Sequence, residues 1–273
     1  MDKAQKAKNL IELQKALSPE RREFLSRFLE RKWFKNTDFV LQKELLTLPF
    51  DWDGFLQEIV KRGDEVGGLE VIKLTVFKRE EFFAFTRFQV RVITTNEVIE
   101  YREFINFKYG GNPGYTGIIL LEVDGKIEYF CLKKTDKFPV AESVYDTFGE
   151  MVQYKFGELM NLPKSAEKII KKQLAMDDIR IKRFIDLGEL YMDSGKSNLK
   201  YSLFAAVIDI SKNHEKIKLL NNVEINKTKR VKFEMLIEPI DRLGEYIHKV
   251  DNGYFLAIVA RLNALGIINL RPL

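Results

Sequence analysis

Apolar residues in the first 62 or so positions recur at helical spacing. In IELQKALSPERREFLSRFLERKWF, the positions Leu25, Phe28, Leu29 and Trp33 fall three or four apart and form one stripe for a partner surface. Ser18 followed by Pro19, with Glu20 and Arg21 next, is a helix-start signal: a side-chain oxygen caps free amides, and the fixed φ of proline suits the first turn. Two further starts are predicted, near Thr37 and Asp38 before FVLQKELL and near Asp51 before WDGFLQEIVKR. After KRGDEVGG the helical period gives way to alternation. GLEVIKLTVF, EFFAFTRFQVRVI and NEVIEYREFINF are rich in β-branched and aromatic residues and read as strands, the last two joined by a turn at Thr94, Thr95 and Asn96.

KYGGNPGYTG interrupts the pattern and reads as a loop. Beyond it, YTGIILLEV and KIEYFCLKK alternate around Asp124-Gly125, a strong hairpin signal. TDKFPVAESVYDTFGE reads as irregular. An amphipathic helix follows over Lys164 to Asp178 (KSAEKIIKKQLAMDD), then a strand, a loop and a strand in IRIKRFIDLGELYMDSGKSNLKYSLFAAVID. RVKFEMLI is a further strand, IDRLGEYIHK a short helix, and GYFLAIVARLNALG a closing helix capped by Asp251 or Asn252, apolar on most faces and expected to be well buried. The expected organisation is a helical region over 1–65, a strand-rich connection over 66–112 and a larger α+β domain over 113–273.

Composition narrows the functions. With 45% hydrophobic and 31% charged residues the chain has the make-up of a folded globular protein. Its apolar runs stop well short of the roughly 20 residues that cross a bilayer, so no membrane span is expected. MDKAQKAKNLIELQKAL lacks an apolar signal centre, which points to a cytoplasmic protein. The single cysteine, Cys131, and two histidines leave little for a disulfide or a zinc site. A formal charge of +5 is a mild bias toward phosphate-bearing ligands; with no helix dense in Arg, Asn and Gln, nucleic acid is not the expected partner.

Four segments carry a family resemblance. GIILLEVDGKIEYFCLKK, MVQYKFGEL, FIDLGELYMDSGKSNLKYSLFAAVID and VKFEMLIEPIDRLGEYIHKVDNGYFLAIVARLNALG resemble, in order, the first hairpin, the strand before the box, the strand pair after it and the closing strand and helices of the Nudix family, in its ADP-ribose pyrophosphatase-like branch. The resemblance implies a Nudix-like α/β/α sandwich with a mixed sheet, here preceded by a helical segment and additional strands. It also implies amino-terminal strands that serve a shared sheet or a homodimer surface.

The family's chemistry uses Arg-Glu-x-x-Glu-Glu on a helix, whose carboxylates converge on magnesium bound to a diphosphate. Aligned through Leu174, this chain reads Lys172, Gln173, Leu174, Ala175, Met176 and Asp177. One acid remains, Asp177, as the weak metal candidate, and a thioether is a poor ligand for a hard cation. The expected box is therefore degenerate, with no catalytic residue assigned and no cofactor, magnesium entering only for a divergent hydrolase. Glu158, Glu167, Asp178 and Glu224 are candidate replacement acids. Lys164, Lys168, Lys171, Lys172 and Lys182 give this helix a basic face, and Lys172, Lys168, Glu158 and Glu224 are the ligand-binding candidates for a nucleotide or nucleotide-sugar diphosphate. The alternatives are protein interaction, a divergent Nudix hydrolase of nucleoside diphosphate derivatives, and a non-hydrolytic sugar-nucleotide enzyme with Tyr154, His214 and Glu224 as acid or base. His248, in a predicted helix, reads as structural.

Overall fold

Ser18 does cap the helix that opens at Pro19, accepting from the Arg21 amide at 3.3 Å. The computed structural model describes residues 12, 15, 17–108, 110, 114–137, 142–151, 162–174, 180–191, 199–212, 224–226, 232–250 and 252–270. It forms two units, one of Met1–Pro113 with Asp193–Leu199, the other of Gly114–Met192 with Lys200–Leu273.

In the first unit, helices α1 (Pro19–Glu30), α2 (Lys32–Asn36), α3 (Phe39–Leu46) and α4 (Asp53–Lys61) precede strands β1 (Glu65–Val66), β2 (Leu69–Arg79), β3 (Phe83–Val92) and β4 (Val98–Phe107). The strands pair antiparallel in the order β1-β2-β3-β4. On β3, Ala84, Thr86, Phe88 and Val90 are buried while their neighbours are half exposed, the period-2 signature of a sheet with one covered face. Leu25, Phe28, Trp33 and Phe34 pack in that core with Leu74 and Phe88, and the Trp33 ring meets the Phe88 ring edge-on at 5.4 Å. Arg31, which precedes α2, offers no side-chain cap. Asp64 supplies it instead, accepting from the Lys32 amide at 2.6 Å and the Trp33 amide at 3.3 Å. Asp38 caps α3, accepting from the Val40 amide at 2.8 Å, as its position predicts.

The second unit is built on a mixed sheet: β5 (Gly114–Val123), β6 (Lys126–Lys137), β7 (Glu142–Asp146), β8 (Phe148–Met151), β9 (Ile181–Tyr191), β10 (Lys200–Asp209), β11 (Glu224–Asn226) and β12 (Lys232–Pro239). Its path is β11-β12-β6-β5-β10-β9, with β7 against β6 and β8 against β5. β10 runs parallel to β5, and the other pairs are antiparallel. Asp124 (φ 48°) and Gly125 (φ 85°) turn the β5–β6 hairpin in the left-handed region, as their sequence predicts.

Because strand side chains alternate, β5 and β10 feed two cores. Ile119, Leu121, Phe204, Ala206 and Ile208 point to the face that packs with Ala166 and Ile170 of α5 (Leu162–Leu174). Ile118, Leu120, Ala205 and Val207 point to the face covered by α6 (Leu243–Ile247) and α7 (Gly253–Ala264). Helices thus pack on both faces of the mixed sheet. The approach of β10 to β5 depends on Gly117: a Cβ there would stand 2.5 Å from the Phe204 carbonyl oxygen and 2.6 Å from its ring.

Two expectations change. The stretch around AESVYDTFGE, read as irregular, contains β7 and β8, because β6 is long enough for its far half to pair with β7 while β8 lies along the start of β5. The closing helix α7 buries one side, Phe255, Ile258, Val259 and Leu262, and leaves Leu256 41% exposed, so it is a covering layer with a wet face. Its cap is Asn252, which accepts from the Tyr254 amide at 2.9 Å.

Candidate functional site

Helix α5 is positioned by two residues one turn apart. Ala166 and Ile170 are fully buried against Tyr115, Phe148 and Phe204. Anchoring by that stripe turns the other side outward: Lys164 and Lys168, also one turn apart, are exposed. Between the two sides, the half-buried Glu167 and Lys171 pair at 2.9 Å, the i,i+4 arrangement that holds a lysine along the helix. The exposed side thus carries lysines, and the flanking Glu167 is paired with Lys171.

The candidate residues are placed unequally. Lys168 lies on this exposed face. Lys172 and Gln173 belong to the last turn of α5, and their side chains lie outside the described residues. Glu158, Asp177, Met176, Asp178, Tyr154 and His214 fall outside the described residues altogether. Glu224 opens β11, opposite Glu234 of β12, and its side chain is likewise outside them. Lys182 is not on the helix: it lies on β9 and binds Glu122 of β5. His248 is exposed at the end of α6.

Among the described residues no three His, Cys, Asp or Glu side chains gather to hold a metal ion. Glu167, the single acid of α5, is committed to Lys171.

Two polar clusters were not singled out from the sequence. Glu122, 6% exposed, is a carboxylate inside an otherwise apolar strand, and the hydrogen bond it accepts from Lys182 raises the lysine pKa. A lone charge in GIILLEV was the available signal. Asp209, its cross-strand partner on β10, takes both the hydroxyl and the amide of Ser211, at 2.6 and 3.0 Å, which lowers its pKa. On the α7 side, Asp146 accepts from the Asn252 amide group at 2.6 Å, and the rings of Tyr201 and Tyr254 lie 4.8 Å apart. Burial pushes both phenols up, and the Tyr254 hydroxyl is buried with no hydrogen-bond partner among the described residues. No sequence spacing links these four residues.

The strand order, the parallel β5–β10 pair and the helix packed on one face define a Nudix-like fold. The solved structure of an ADP compounds hydrolase is similar: it matches with a TM-score of 0.51 and 10% identity, over 75% of this chain and 99% of that chain. At this identity the likeness concerns the fold alone. No protein-family model matches the sequence, and no curated protein matches it. Among the described residues no helix is long and apolar enough to cross a membrane.

Proposed function

We propose that the protein binds a nucleotide or nucleotide-sugar diphosphate on a Nudix-like scaffold whose metal-dependent chemistry has been lost. The observation that carries this reading is the make-up of α5 and its continuation: Lys172, Gln173 and Met176 stand where the resemblance calls for arginine and two glutamates. The exposed Lys168 supports it, because a cation can offset diphosphate charge directly where carboxylates would need a bridging metal. The lysine side chain is a flexible point charge, suited to such a contact without the fixed geometry of a metal cage.

Calorimetric titration with ADP-ribose and related nucleotide sugars, with and without chelator, tests the reading. Binding that survives chelator, with no product released when magnesium or manganese is added, is the expected result. Absence of binding across the panel sinks it. A second reading, a divergent hydrolase of nucleoside diphosphate derivatives, is favoured by the likeness to an ADP compounds hydrolase. Metal-dependent release of phosphate-containing products in the same experiment would establish that reading in place of the first.

A further inference from the structure

We draw no further inference here: the strongest candidate, the outward face of the four-stranded sheet where Phe83 and Phe85 of β3 lie opposite Phe107 and the exposed Ile105 of β4, is an apolar surface for which nothing in the structure shows what covers it.

Discussion

Glu122 and Lys182 are joined across two strands of the mixed sheet with unequal burial: the carboxylate side chain is 8% exposed and the ammonium side chain 51%. Removing the lysine leaves a shielded carboxylate without its partner, whereas removing the carboxylate leaves an ammonium that water can solvate. Lys182→Met is therefore expected to lower the melting temperature more than Glu122→Gln does. Adding Glu122→Gln to Lys182→Met should recover part of the loss. Equal losses in the two single variants, with no recovery in the double, would show that the pair contributes through packing alone.

The same bond makes stability depend on alkaline pH. The hydrogen bond to Glu122 raises the Lys182 pKa above its ordinary 10.5, so the folded chain holds that proton more tightly than the unfolded one. The stabilising contribution is complete below the ordinary value and is lost as pH climbs through the raised one. Urea midpoints measured from neutral pH into that alkaline range should fall more steeply for the wild type than for Lys182→Met. Parallel curves would mean that other groups govern alkaline unfolding.

Gly117 of β5 lies directly opposite Phe204 of β10. A methyl group there meets backbone as well as the Phe204 ring, and backbone in the middle of a buried parallel pair cannot step aside. Gly117→Ala is expected to cost about 1–3 kcal/mol or more by overpacking. Gly67, with a positive φ and nothing within 4 Å of a built Cβ, is the control for backbone strain without a clash. Chemical denaturation that shows Gly117→Ala no worse than Gly67→Ala would contradict the packing argument.

Asp64 is expected to stabilise α2 from 32 residues away in sequence. Its carboxylate replaces the cap that Arg31 cannot provide, so Asp64→Ala should cost about 1 kcal/mol, the usual worth of an N-cap, and Asp64→Asn less. Trp33 lies in the first turn of that helix and is fully buried, so its fluorescence during urea unfolding reports the change. An unchanged midpoint for Asp64→Ala would mean that packing of Trp33 and Phe34 alone holds the helix.

These cases show which parts of the fold were legible in the sequence. Alternation at Ala84, Thr86, Phe88 and Val90, the Asp124-Gly125 turn and the caps at Ser18 and Asn252 are local, so a short window contains their cause. The Asp64 cap, the Gly117 contact and the Glu122–Lys182 bond each join residues far apart in sequence, and no window holds both members. β7 has no local signal for a related reason: its outer residues are exposed and carry little hydrophobic alternation, while its position depends on the length of β6. Of the candidate site, the amphipathic character of α5 was legible from helical spacing; the pairing of Glu167, a candidate replacement acid, with Lys171 was not read there. The partner of Lys182 was not legible, because Glu122 lies 60 residues away in sequence.

Lys168 separates the proposed function from stability. It is exposed, while Ile170, two residues on, is fully buried. Ile170→Ala should cost about 2–5 kcal/mol by opening a cavity beneath α5. Lys168→Glu should leave the melting temperature unchanged, since its side chain faces water, yet weaken ADP-ribose binding by about tenfold through charge reversal, with the deficit shrinking as salt rises. Lys168→Arg should bind as the wild type does. Titration of the three variants at low and high salt distinguishes the outcomes: if wild type binds ADP-ribose and Lys168→Glu binds equally well, the exposed face of α5 is not where the ligand sits, and the cations that hold it belong to another surface of the Nudix-like unit.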